Sequence, residues 1–286
     1  MLISIVTPCY NSVQTIRSTF NSVLAQSECD YEYIIVDGGS TDGTLDIIKE
    51  YELLFAGKLR WISEPDNGIY DAVRKGFAMS EGDILAWLGA DDVYMPNAFA
   101  NVKKIFESYP QVEWLTGEKC HIKDDGTYCN AKPTPKFKYR DFCLKEGFWV
   151  QQESTFWRKG LWQKCETAFG NYRYAGDYAL WLCFSRHTHL YTIPLLLAAF
   201  HLRDGQVSET HKKEYMAEID DICNKELLSM PHKERFILQL YSRLRGKTLV
   251  GRLANYLVHR WDLEHRGDKE KKNFYFNYTT KEFELR

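Results

Sequence analysis

The chain has 286 residues, 44% of them apolar and 15% aromatic, with a formal net charge of −2; this allows a large core and excludes a globally basic nucleic-acid binder. Its eight cysteines show no CxxC and no histidine at finger spacing, so neither a zinc module nor a disulfide framework is expected. No apolar run approaches the roughly 20 residues that span a bilayer, and no leader precedes the apolar run at residues 2–6, so reduced thiols and a cytoplasmic location are expected.

Residues 2–6 read as a strand that ends at Thr7, because Pro8 cannot donate to a central ladder. Asn11 or Ser12 then caps a helix running to about Gln26, with Ile16, Phe20, Val23 and Leu24 inward. A second strand at 33–36 closes in Asp37-Gly38-Gly39-Ser40-Thr41, and Ser40 or Thr41 caps a helix carrying Leu45, Ile48 and Tyr51. A third strand at 59–62 leads into the turn Asp66-Asn67-Gly68. The following helix places Ile69, Ala72, Val73 and Phe77 on one face. Residues 84–88 form a short strand covered on both faces, followed by Asp91-Asp92. This alternation predicts a mostly parallel, twisted α/β sheet flanked by helices, Rossmann-like in layering.

Open sheets of this kind bind ligands beyond the carboxyl ends of their strands. Three polar strand ends (7–11, 37–40 and 89–92) therefore converge on one cleft. Gly38-Gly39 and Asn67-Gly68 accept positive φ and let backbone N–H groups approach a ligand. Asp91-Asp92 is either a solvated acid pair or a divalent-cation site. Asp37 either holds a ribose or base edge or simply forms the turn before Gly-Gly. Neither GxGxxG nor GxxxxGK[ST] occurs.

Beyond Pro96, Phe99, Val102, Phe106 and Tyr109 mark a helix, and a strand returns at 112–116. Residues 121–140 are polar and irregular, with Asp124-Asp125-Gly126 as a hairpin turn. Residues 148–157 mix aromatics with amides and an acid, including Trp149, Gln152 and Glu153, which suits either a sugar-facing surface or an aromatic-rich β segment. Asp177 sits in the first turn of a helix, where the macrodipole favours a carboxylate. Residues 190–200 read as two strands interrupted by Pro194 and ending at His201, a packed, solvated or ligating histidine. From Glu209 onward helices are expected near 211–229, 232–245 and 247–265. Seven Lys/Arg and one acid between Lys233 and Arg260 suit an anionic membrane surface, a solvated face or a second subunit. Residues 268–286 form a charged, aromatic tail.

The motifs TPCYN (7–11), VDGGSTDGT (36–44), EPDNGIYDAVRKG (64–76), GDILAWLGADD (82–92), QQESTFWRK (151–159) and AGDYALWL (175–182) occur in that order. With them the chain resembles family-2 inverting glycosyltransferases of the GT-A fold, particularly bacterial enzymes that build surface polysaccharides. The resemblance spans roughly 2–205 and implies a glycosyltransferase domain at 1–205 with a helical extension at 206–286. It implies a nucleotide-diphosphosugar donor, most often a UDP-sugar. Thr7, Pro8 and Tyr10 would line the base pocket and Asp37 would hold uracil or ribose. Asp66, Gly68, Lys75 and Ala90 would border the nucleotide and diphosphate. Asp91 would bind Mn2+ or Mg2+ as the last acid of the family's DXD motif, with Asp92 beside it and His201 as a further ligand. Asp177 would be the catalytic base, and Trp149, Gln152, Glu153 and Trp181 would face the acceptor. Two departures stand out: Gly89 replaces the first acid of DXD, and Arg74 stands where relatives often carry Asn.

The implied chemistry is direct displacement. An acceptor hydroxyl loses its proton to a carboxylate as it attacks opposite the leaving diphosphate, with a loop in 121–148 excluding water. The implied acceptor is a glycan or lipid-linked glycan at the inner face of the membrane. The C-terminal helices would supply peripheral membrane contact or a homodimer. A sugar nucleotidyltransferase, a non-catalytic carbohydrate-binding relative and an assembly protein are the alternatives.

Overall fold

The computed structural model describes residues 1–135, 137–145, 150–203, 205–206, 210–244, 256–258, 273–277, 279–280 and 282–285. The first half alternates as expected: β1 (Ile3–Cys9), α1 (Ile16–Leu24), β2 (Tyr31–Asp37), α2 (Thr44–Leu54), β3 (Leu59–Ser63), α3 (Ile69–Met79) and β4 (Ile84–Trp87). Then come β5 (Val93–Tyr94), α4 (Ala98–Ser108), β6 (Trp114–Lys123), β7 (Tyr128–Lys132) and α5 (Tyr139–Cys143). A 3-10 turn at Gln152–Ser154 precedes β8 (Thr155–Arg158), α6 (Lys159–Cys165), α7 (Gly176–His187), β9 (Tyr191–Leu196) and β10 (Ala198–Leu202). The C-terminal part holds α8 (Lys212–Ser229), α9 (His232–Leu244), β11 (Phe274–Asn277) and β12 (Glu282–Leu285).

The sheet runs β3-β2-β1-β4-β8-β6-β10-β5, with β7 and β9 also paired to β6. β3, β2, β1 and β4 are mutually parallel, and β8 enters antiparallel between β4 and β6. Strand alternation divides the apolar side chains between two layers. Ile3, Ile5, Tyr33, Ile35, Ile84 and Ala86 pack towards α1, α2 and α4. Val6, Ile34, Val36, Leu85 and Trp87 pack towards α3, α6 and α7. On that second side Trp87, Trp114, Trp157 and Trp181 form one buried cluster. Trp181 lies stacked 5.8 Å from Trp87 and 5.5 Å from Trp114.

Several local expectations are corrected. β1 continues through Pro8 to Cys9. Pro8 shares the parity of Val6, whose carbonyl faces β4, but β4 pairing stops at Val6↔Trp87, so the missing N–H forfeits no ladder bond. Asn11 does not cap α1: it takes φ 48° and receives the Thr41 N–H on its side chain at 2.9 Å, tying β1 to the loop after β2. α2 is started by Asp42, which accepts the Thr44 N–H at 3.0 Å, rather than by Ser40 or Thr41. Ile69 is 46% exposed, and Tyr70 takes its place on the inner face of α3. The stretch expected to be irregular is mostly the β6–β7 hairpin, turning at Asp124-Asp125-Gly126 as predicted, with the Gly126 N–H on the Lys123 carbonyl at 2.9 Å. Pro194 lies within β9, and the chain breaks at Leu197 instead. Cys165 and Cys183 form a disulfide, against the expectation of none. Eighteen residues apart in sequence, they are brought together by the packing of α6 on α7, which spacing alone does not reveal.

α8 and α9 match their predicted spans closely, whereas the third helix expected at 247–265 lies largely outside the described residues. Ile219, Ile222 and Cys223 of α8 are buried in the same apolar layer as α7. The tail docks as well: the Tyr109 hydroxyl donates to the Phe283 carbonyl at 2.8 Å, and Phe274 packs on Tyr109 and Tyr191. No described helix is long and apolar enough to cross a membrane.

Candidate active site

The first two strands end in a loop pair organised by Asp37. Its carboxylate is fully buried and accepts the N–H groups of Gly39 (3.1 Å) and Ser40 (2.9 Å) and the hydroxyls of Ser40 and Ser63. Asp37 therefore shapes the loop from beneath, with no lone face turned to the cleft. Thr7 is likewise buried, its hydroxyl 2.9 Å from that of Tyr33. It shares the parity of Ile3 and Ile5, so its side chain faces the core and only its backbone borders the cleft. Tyr10 is 63% exposed at the end of β1, as a stacking platform for a base must be. Asp66 reaches over Gly38, where an added Cβ would meet its Oδ2 at 2.7 Å, and Oδ1 accepts the Gly68 N–H at 2.8 Å. Gly68 takes φ 108°, which favours glycine. Lys75 is paired with Glu64 at 2.8 Å and donates to the Pro65 carbonyl at 3.1 Å.

The second part of the site follows β4. Ala90 is fixed by its carbonyl, which accepts the Thr15 hydroxyl at 2.8 Å. Asp91 is partly exposed and paired through Oδ2 with Arg203. Asp92 is buried, and its Oδ1 accepts the His201 N–H at 2.9 Å. Its Oδ2 would lie 2.6 Å from a Cβ at position 89, so the Asp92 carboxylate fills the space a side chain there would use. His201 Nδ1 is 3.1 Å from the Asp91 carbonyl. Its Nε2 is buried and lies 2.9 Å from Asp124 Oδ1 without the alignment of a hydrogen bond. Gln152 donates to the Trp87 carbonyl, and Gln151 bridges Cys120 to Glu153.

Burial, reinforced by the Glu153 and Asp91 charges, pushes the Asp92 carboxyl well above the usual range. Burial also raises Glu153 to about 7, with the Asp91 and Asp177 charges adding to it and the Gln151 amide opposing. The site thus carries surplus negative charge, an imidazole nitrogen without a hydrogen bond and hard oxygen donors, a set that fits a divalent cation. Asp91 and His201 would hold it. Asp92 would steady His201 through Oδ1, with Oδ2, beside Gly89, as a further oxygen donor.

Asp177 occupies the first turn of α7. Its Oδ1 accepts the Tyr178 N–H at 2.8 Å and the Tyr70 hydroxyl at 3.3 Å, while Oδ2 has no hydrogen-bond partner among the described residues. Burial raises its carboxyl to about 6 despite those donors. Gly176 is needed next to it, since a Cβ there would meet the Tyr70 ring at 2.7 Å. Trp181 is corrected: at 1% exposure inside the tryptophan cluster it presents no face to an acceptor. Trp149 lies outside the described residues.

Two site residues were missed by sequence reasoning. Arg203 gave only the weak signal of a cation two residues beyond His201. Glu218 gave none, being brought in by tertiary packing of α8. Its carboxylate accepts the N–H groups of Arg173 (2.9 Å), Tyr174 (2.8 Å) and Ala175 (2.7 Å), fixing the loop that delivers Asp177. Glu218→Gln is expected to weaken these charge-assisted bonds, by about 1–3 kcal/mol in total stability. It also removes a negative charge that raises the Asp177 carboxyl, so the acid limb of a pH–rate profile should move to lower pH. An unmoved limb in a folded variant would reduce Glu218 to a structural role.

A curled, mostly parallel sheet flanked by helices, with acids at its strand ends and another at a helix start, is the architecture of a GT-A glycosyltransferase. The profile of "Glycosyl transferase family 2" matches residues 4–159. The chain belongs to that family and is a transferase enzyme. It is 26% identical over 264 residues to a "PGL/p-HBAD biosynthesis glycosyltransferase" of Mycobacterium bovis, covering 91% of each chain. It is 35% identical over 108 residues to an uncharacterized glycosyltransferase of Nostoc, covering 38% of this chain and 34% of that one. Among solved structures it superposes on S. aureus TarS in complex with UDP-GlcNAc at TM-score 0.59 and 15% identity, covering all of this chain and 97% of the other. It superposes on a Pyrobaculum calidifontis mannosyltransferase in complex with GDP-Man and Mn2+ at TM-score 0.52 and 15% identity, covering 93% and 88%.

Proposed function

We propose that the protein transfers a sugar, with inversion, from a UDP-sugar to a hydroxyl of a glycan or lipid-linked glycan, with Asp177 as general base. The observation that carries this reading is Asp177 itself: its Oδ2 has no hydrogen-bond partner among the described residues, and a carboxyl at about 6 is ionised at neutral pH yet more basic than an ordinary aspartate. Glu153 feels the charges of both Asp177 and Asp91, which supports assigning base and diphosphate site to one cleft. Tyr10 would stack on the base, Asp66 and the Gly68 backbone would border the ribose and diphosphate, and Lys75 would exchange Glu64 for phosphate. Gln152 and Glu153 would line the acceptor side. Mn2+ or Mg2+ held at Asp91 and His201 would supply charge neutralisation to the departing diphosphate. Nucleotide-sugar complexes of the structural neighbours, one with UDP-GlcNAc and one with GDP-Man, support the donor class, and the choice of uridine rests on the resemblance to family-2 enzymes.

The acceptor fits polysaccharide assembly at the inner membrane face. α9, with exposed Phe236 beside Lys233 and Arg235, would provide the peripheral contact or a homodimer surface. Titrating UDP and GDP into the protein with Mn2+ and with EDTA tests the donor. UDP binding that tightens with Mn2+ is the expected result. Preferential GDP binding would reassign the donor, and absence of any nucleotide binding would favour a non-catalytic carbohydrate-binding protein.

A further inference from the structure

Cys165 ends α6 and Cys183 lies on α7, with their Cα atoms 6.0 Å apart. His187 follows Cys183 by four residues, on the same helix face. The two sulfurs and a His187 ring nitrogen all lie within 4.8 Å of one another. The sulfurs sit at the edge of the apolar layer that includes Trp162 and Phe169, whereas His187 is exposed. None of the three belongs to the cleft described above.

We propose that, once the Cys165–Cys183 bond is reduced, the two thiolates and His187 form a binding site for a borderline-soft divalent cation of the zinc class. Two sulfurs and one imidazole match the ligand preference of zinc, with water at the fourth position. A tetrahedral ion with bonds of about 2.3 Å to sulfur and about 2.0 Å to nitrogen requires ligand atoms roughly 3.5–3.8 Å apart. The His187 nitrogen already lies within 4.8 Å of both sulfurs, and the sulfurs, bonded to each other here, would have to part by about 1.5 Å after reduction to reach that separation. The chemistry balances with a dithiol reductant. The reductant gives two electrons and two protons to the protein disulfide and closes its own disulfide. The two thiol protons then leave to solvent as the cation binds, and the neutral imidazole contributes its lone pair. Either linkage ties α6 to α7 and closes residues 165–183, which include Asp177. One cross-link is covalent and redox-controlled, the other metal-controlled.

The test uses the full chain, reduced with excess dithiol, desalted without oxygen and titrated with Co2+ as a spectroscopic substitute for zinc. The expected result is one equivalent bound with sulfur-to-cobalt charge-transfer bands and intense tetrahedral visible bands, both displaced by Zn2+. They should be lost in Cys165→Ser and Cys183→Ser and absent from unreduced protein. Asp91→Ala should leave them unchanged, which separates this site from the oxygen-rich one and from any failure of the glycosyltransferase reading. His187→Ala removes the imidazole donor and should weaken Co2+ by about tenfold or more. Absence of thiolate bands in reduced protein, their persistence in Cys165→Ser, or unchanged affinity in His187→Ala would overturn the proposal.

Discussion

Asp177→Asn is expected to lower kcat by about 10²–10⁴-fold, the usual worth of a positioned general base, while leaving nucleotide affinity unchanged. The amide keeps the size of the side chain and retains an oxygen for the Tyr178 N–H and the Tyr70 hydroxyl, so only proton acceptance is removed. In the wild type, activity should fall as pH drops through about 6, where Asp177 protonates, and this limb should vanish from the residual activity of the variant. Stability moves the other way. A carboxyl raised in the fold is least costly when protonated, so its contribution is most favourable below pH 3.8 and is lost as pH rises through about 6. Asp177→Asn should therefore be more stable than wild type at pH 8, by up to about 3 kcal/mol, with the difference disappearing near pH 4. Denaturant melts at the two pH values measure this. A variant equally stable at both, with full activity, would remove Asp177 from its proposed role.

Asp91→Ala is expected to abolish the Mn2+ dependence of nucleotide binding and to reduce transfer by about 10²–10³-fold, the size seen when one stabiliser of developing charge is lost. Arg203 gives the complementary experiment. Its guanidinium pairs with the same Asp91 oxygen that a cation would claim, and both side chains are partly exposed, so the pair is worth no more than ~1 kcal/mol. Arg203→Ala should tighten Mn2+ in nucleotide-free protein by up to about fivefold. Manganese electron paramagnetic resonance reads the free ion directly. Weaker Mn2+ binding in Arg203→Ala would mean that Arg203 aids rather than opposes the cation.

The frame of the site was legible in local patterns. Strand-helix alternation up to Trp87, the polar strand ends, the Asp66–Gly68 turn and the hairpin turn at Gly126 all depend on near neighbours in sequence, which periodicity and turn chemistry capture. Thr7 was misassigned although strand parity already placed it with Ile3 and Ile5. Trp181 was misassigned because aromatic content alone does not distinguish a sugar platform from a stacked core. Asp37 beneath its own loop matches the turn-forming alternative, being bonded to Gly39 and Ser40 close by, whereas Arg203 on Asp91, Glu218 under residues 173–175 and the Cys165–Cys183 bond join segments remote in sequence. Only folding brings them together.

Gly89 and Asp92 also constrain what descendants of this chain can become. A single Gly89→Asp change would regenerate the acid spacing of relatives, but its Cβ would lie 2.6 Å from Asp92 Oδ2 and 3.0 Å from Asp91 Oδ1. The new side chain would fit only once the Asp92 carboxylate moved aside, by rotation or by a second substitution. That second change would in turn release the His201 N–H. The two positions are thus coupled: a carboxylate regained at 89 brings a rearrangement at 92 and, through it, at His201.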